Sequence, residues 1–153
     1  MKKTALLSLL LLSTFGNTYA KNEDPRKVTL VKKIYVAELS SSPQSDLLKK
    51  NATPELRKLL DARDRIHSKF GGEYCDWVRS LYVPGNDFDT KVGQMKFTTL
   101  NSGLIRASGT NFGEKFHRDF KVQCDAQSCK IDDIYDPNSY KLELQQLVKK
   151  PYC

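Results

Sequence analysis

The chain has 153 residues, with 25 Lys and Arg against 18 Asp and Glu and a formal net charge of +7. Its length suits one domain with a real core. Beyond the N-terminus no stretch is long and apolar enough to cross a bilayer. The basic residues are spread along the chain, which sets aside a nucleic-acid surface and reads as solubility.

The first element is MKKTALLSLLLLSTFGNTYAK. Lys2 and Lys3 precede an apolar run from Leu6 to Phe15, and Thr18-Tyr19-Ala20 supplies small residues at a cleavage position. The pattern predicts a secretory signal peptide over residues 1–20, cut after Ala20, with a single domain over 21–153. The rival, an uncleaved anchor, needs roughly 20 apolar residues, and the run is shorter. With no cysteine near the cleavage point, a lipid-anchored form is not expected. A bacterial periplasmic or secreted protein is. Removing Lys2 and Lys3 leaves 23 basic minus 18 acidic residues, or +5.

Asp24-Pro25 then offers a helix N-cap and a first-turn proline. Val28, Val31, Ile34 and Tyr35 recur at helical spacing, and the helix should stop between Ser40 and Pro43. Leu47 and Leu48 suggest a short turn within the polar loop that follows. Thr53-Pro54 repeats the start signal for a second helix carrying Leu56, Leu59, Leu60, Ile66 and Phe70, ended by Gly71-Gly72. The segment CDWVRSLYVPGNDFDT reads as extended or loop, broken at Pro84-Gly85.

From Lys91 the period changes to two. Met95, Phe97 and Thr99 alternate with polar neighbours, Asn101-Ser102-Gly103 turns the chain, and Ile105 and Ala107 resume the alternation. A second turn falls at Asn111-Phe112-Gly113. Phe116, Arg118, Phe120 and Val122 share one strand face. A last strand covers Lys130 to Ile134. Asp136-Pro137-Asn138-Ser139 starts a final helix with Tyr140, Leu144, Leu147 and Val148 on one side, ended by Pro151. The expected fold is α+β: a curved antiparallel sheet forming a cone, packed with two N-terminal helices and one C-terminal helix.

All four cysteines follow Ala20, and an even count in an oxidising compartment predicts two disulfides. Three pairings exist. Cys124–Cys129 across a short turn and Cys75–Cys153 tying down the C-terminus are favoured. The second closes a long loop, worth roughly 4 kcal/mol on a chain-entropy account.

The stretch CDAQSCKIDDIYDP carries most of the candidate chemistry. Asp132, Asp133 and Asp136 lack the alternation and glycine of a calcium loop. One close cysteine pair is too few for structural zinc. No metal and no cofactor is expected. Strand alternation puts Ile131 and Asp133 on one side, and Lys130, Asp132 and Ile134 on the other. An inward aspartate is a candidate general base or a structural acceptor. Arg118, in phase with apolar neighbours, needs a partner if buried, and Asp133 is the candidate. Arg118, Asp133 and the only tryptophan, Trp77, are the candidate ligand-binding residues. His117 beside Asp119 imitates a base and its orienter, yet no nucleophile accompanies them. His67 falls near the Ile66 and Phe70 side of the second helix. No catalytic set is assembled.

ATPELRKLLDARD and FKVQCDAQSCKIDDIYDPNSYKLELQQL together resemble exported bacterial members of the nuclear transport factor 2-like superfamily. In that pattern a helix starting "(S/T)PEL..LL.A" joins a late strand ending in "I.DI", with a short closing helix. The chain departs from it at Ser128-Cys129-Lys130, where a tryptophan or glycine is usual, and around Trp77. The resemblance implies the cone-shaped fold and says little of activity, because that fold hosts enzymes and binders alike. The expected function is a non-enzymatic periplasmic binding protein, of the immunity or inhibitor type that blocks a toxin or hydrolase. The alternatives are an envelope accessory protein holding a lipid or small molecule in the cone, and an isomerase-like or dehydratase-like enzyme with an aspartate base. A protein partner or small ligand is expected, and nucleic acid is not.

Overall fold

The computed structural model describes residues 24–40, 47–71, 80–85 and 87–152. The expected signal peptide, Cys75, Trp77 and Cys153 lie outside the described residues. No helix among the described residues is long and apolar enough to cross a membrane.

Three of the helices begin where a short polar side chain takes up a free amide. Asp24 accepts from the Arg26 amide at 3.0 Å and opens α1, Pro25–Glu38, with proline in the first turn. Its buried stripe is Leu30, Val31, Ile34 and Tyr35. The turn expected at Leu47-Leu48 is a short helix, α2, Leu47–Asn51, with both leucines buried. Thr53 caps α3, Pro54–Lys69, which buries Leu56, Leu60 and Ile66 and runs out at Gly71, φ +68°. Ser139 caps α4, Tyr140–Lys149, accepting from the Leu142 amide at 3.0 Å. Tyr140, Leu144 and Leu147 are buried, whereas Val148 is exposed.

The strands are β1, Lys96–Thr99; β2, Ile105–Asn111; β3, Glu114–Cys124; β4, Cys129–Asp136; and the two-residue β5, Asn138–Ser139. They form one antiparallel sheet in chain order. The protein is therefore α+β. Along β3 the alternation is plain: Phe116, Arg118, Phe120 and Val122 are buried, while Lys115, His117, Lys121 and Gln123 are exposed. Helix α1 lies across β1 to β4. Tyr35 fills the space between them, edge-on to Tyr82, Phe97 and Phe120 at 5.6, 5.6 and 5.9 Å. Its hydroxyl donates to the Tyr82 carbonyl at 3.0 Å, so the one polar atom of this ring is satisfied. Beyond β4, the Thr53 amide donates to the Ile131 carbonyl at 2.8 Å, and Ala52 bridges Ile131 in parallel.

Strand β4 corrects the expected alternation. Val122 faces Ile131 but Lys121 faces Asp133, so β4 holds one extra residue at this step. This is a β-bulge, which resets the side-chain phase. Ile131 and Ile134, three apart, both reach the core with 0% and 1% exposure. Asp133 is therefore not in phase with Ile131, and Ile134 does not share the side of Asp132.

Candidate functional site

The bulge gathers polar groups where β4 meets α3 and α4. Asp133 accepts from the Ile134 amide at 2.8 Å, the Lys141 amide at 2.9 Å and the Ser139 hydroxyl at 2.6 Å. It thus holds the first turn of α4. Asp132, 3% exposed, meets Lys141 Nζ at 2.9 Å and Lys121 Nζ at 3.0 Å, with the Thr53 hydroxyl at 3.3 Å. Lys141 reaches on to Glu55 at 2.6 Å. Burial pushes the Asp132 carboxyl up, but hydrogen bonds from Lys141 and Lys121 outweigh it, and its pKa falls below the ordinary carboxylate value. A carboxylate held ionised in this way is a poor general base at neutral pH.

Arg118 is buried, but Asp133 is not its partner. Its guanidinium pairs with Asp136 at 2.8 Å and donates to the carbonyls of Leu81 at 3.2 Å and His117 at 3.0 Å. The reason is again the bulge, which turns Asp133 toward α4. His117 is exposed, and its neighbour Asp119 is gripped by both arms of Arg106, each at 2.7 Å. That carboxylate orients no imidazole. His67 is half-buried on α3.

Cys124 and Cys129 are joined in a disulfide across the β3–β4 turn. Asp125 shapes the turn by accepting from the amides of Gln127 and Ser128 at 2.8 and 2.7 Å. Arg26 of α1 reaches the carbonyls of Asp125 and Ala126 at 2.9 and 3.3 Å. Asp24 lies near both sulfurs, but oxidised sulfurs leave no thiolate to bind a metal. CDAQSC is thus a stapled hairpin turn docked on the start of α1.

Among the described residues, the surface hollows include three of note. The first, about 290 Å³, has Glu38, Leu48, Lys49, Leu60, Arg63 and Tyr82 in its wall. The second, about 460 Å³, lies on the solvent face of the sheet by Lys96, Arg106, Lys115 and His117. The third, about 410 Å³, is lined by Pro84, Gly85, Asp87, Asn111, Phe112 and Glu114. None of the three is lined by Arg118, Asp132 or Asp133.

The third hollow has a rigid mount. Asn111, 7% exposed, donates to the carbonyls of Pro84 at 3.0 Å and Asp87 at 3.2 Å, and accepts from the Asp89 amide at 3.0 Å. Thr90 donates to the Thr110 carbonyl at 2.9 Å, and Asp89 accepts from the Phe112 amide at 2.6 Å. One asparagine therefore fastens Pro84, Asp87 and Asp89 onto the β2–β3 hairpin. Asn111 faces Glu114, so the loop is two residues, Phe112 at φ +47° and Gly113 at φ +84°. Two positive φ values in a two-residue loop favour Asn-Gly or Asp-Gly. A bulky residue there is an outlier that costs roughly 1 to 3 kcal/mol. Phe112 nonetheless occupies it, 64% exposed, with Phe88 of the fastened segment 45% exposed.

No protein-family model, curated protein or solved structure matches this chain. The sequence marked Asn111-Phe112-Gly113 only as a turn. The available signal was an aromatic where a turn of this kind prefers a small polar residue.

Proposed function

We propose that the protein works by recognition: an exported binding protein of the immunity or inhibitor kind, acting in the periplasm after removal of residues 1–20, its helices and sheet closed into the cone that the superfamily resemblance implies. The observation that carries this reading is Phe112, a large apolar side chain displayed in an unfavourable backbone conformation on a fastened hairpin. Strain kept at an exposed position points to a use for the side chain there. The groups suited to acid–base work support the same reading. Asp133 holds α4, Asp132 is ionised between two lysines, and Arg118 is engaged by Asp136.

The test is affinity capture from periplasmic extract of the producing bacterium, using the oxidised chain. Recovery of one protein in stoichiometric amount, lost with Phe112→Ser, is expected. Recovery of a small molecule and no protein overturns the reading, as does a turnover that disappears in Asp133→Asn with the fold intact.

A further inference from the structure

We infer that the hollow beside Phe112 receives an arginine side chain from a protein partner, an inference that rests on the binding reading above. The residues of the wall include an exposed phenylalanine, Phe112, and two acidic residues, Asp87 and Glu114. A guanidinium matches both surfaces, since its plane lies on a ring while its edge pairs with carboxylate. Residues 80–90 and 108–114 contain Asp87, Asp89 and Glu114 and no Lys or Arg, in a chain whose total charge is +7. Arg79, Lys91 and Lys115 border these segments directly, so the acidic character is confined to the wall of the hollow itself.

Among the described residues, Asp87 and Glu114 form no ion pair. They differ in this from Asp119, Asp132 and Asp136, each held by a cation of the fold. The two sides of the hollow come from separate segments that Asn111 fastens together. The site is thus pre-organised, and closing it on a ligand orders little further chain.

An NMR titration of the full oxidised chain tests the inference. The probes are capped Gly-Arg-Gly, its citrulline analogue and its lysine analogue. The arginine peptide should shift amides within 84–90 and 111–114, saturating in the millimolar range and weakening as salt is raised. The citrulline peptide, equal in shape but uncharged, should leave them in place. Phe112→Asn should weaken arginine binding at least ten-fold while raising Tm, because asparagine tolerates the left-handed backbone. Equal shifts from citrulline, shifts scattered over the other carboxylates, a lysine peptide binding as tightly as arginine, or unchanged binding by Phe112→Asn each overturn the assignment. A protein captured equally well by Phe112→Asn would leave the binding reading standing and remove this hollow from it.

Discussion

The Asp133 carboxylate accepts the Lys141 amide at 2.9 Å, fixing the first turn of α4 to β4. Its second oxygen takes the Ser139 hydroxyl, and Ser139 in turn caps the same helix. Helix start and strand end are thus one hydrogen-bonded unit. Asp133→Ala would leave the Ile134 and Lys141 amides and the Ser139 hydroxyl without their acceptor. We expect a loss of about 2 to 3 kcal/mol. Urea unfolding monitored by circular dichroism measures it, and an unchanged midpoint would refute this role.

Asp132 sets an acid limb of stability. Its folded pKa lies below the model-compound value of 3.8, so the unfolded chain takes up a proton first as pH falls. Its contribution is complete above that value and declines as pH drops through the folded one. Lys141 has the opposite sign. Burial lowers its pKa, but hydrogen bonds to Glu55 and Asp132 raise it above 10.5 overall. Its contribution holds below 10.5 and is lost as pH climbs through the higher folded value. Thermal melts from pH 2 to 6 should show a shallower acid decline for Asp132→Asn than for the parent chain.

The Cys124–Cys129 bond closes a short loop, for which the chain-entropy account gives about 2 kcal/mol. The double variant Cys124→Ala, Cys129→Ala should lose roughly that much, read from denaturant midpoints under oxidising conditions. Arg26→Ala, which frees the same turn from α1, should cost less because its contacts are exposed.

Gly109 faces the core beneath Phe116. A Cβ there would sit 3.0 Å from Phe116 Cζ and 3.2 Å from Met95 Cγ. Gly109→Ala should therefore destabilise by overpacking, by about 1 kcal/mol. An increase in Tm would show that these side chains yield freely.

Helix starts were legible because the caps are local. Asp24-Pro25, Thr53-Pro54 and Ser139 each lie beside the amides they serve. The β3 face was legible for a similar reason, since alternation sustained from Lys115 to Gln123 leaves little ambiguity. The β4 face was not. Alternation assumes a regular strand, and a single inserted residue reverses every side chain after it. The spacing of Ile131 and Ile134 was the clue, because two core isoleucines three apart cannot share a face without a bulge. The partner of Arg118 followed the same error. The hollow at Phe112 was hidden for another reason. It depends on Asn111 contacting residues more than 20 positions earlier, a separation that no local pattern encodes.

The Ala52–Thr53 bridge on Ile131 has a consequence for solubility. A bare strand flank invites other chains to add on, by strand exchange or fibril growth. On the β4 flank at Ile131 the carbonyl is already occupied from within the molecule, so an incoming strand finds no acceptor there. At the opposite end of the sheet, β1 is only four residues long and bears the exposed charge of Lys96, which makes a poor template.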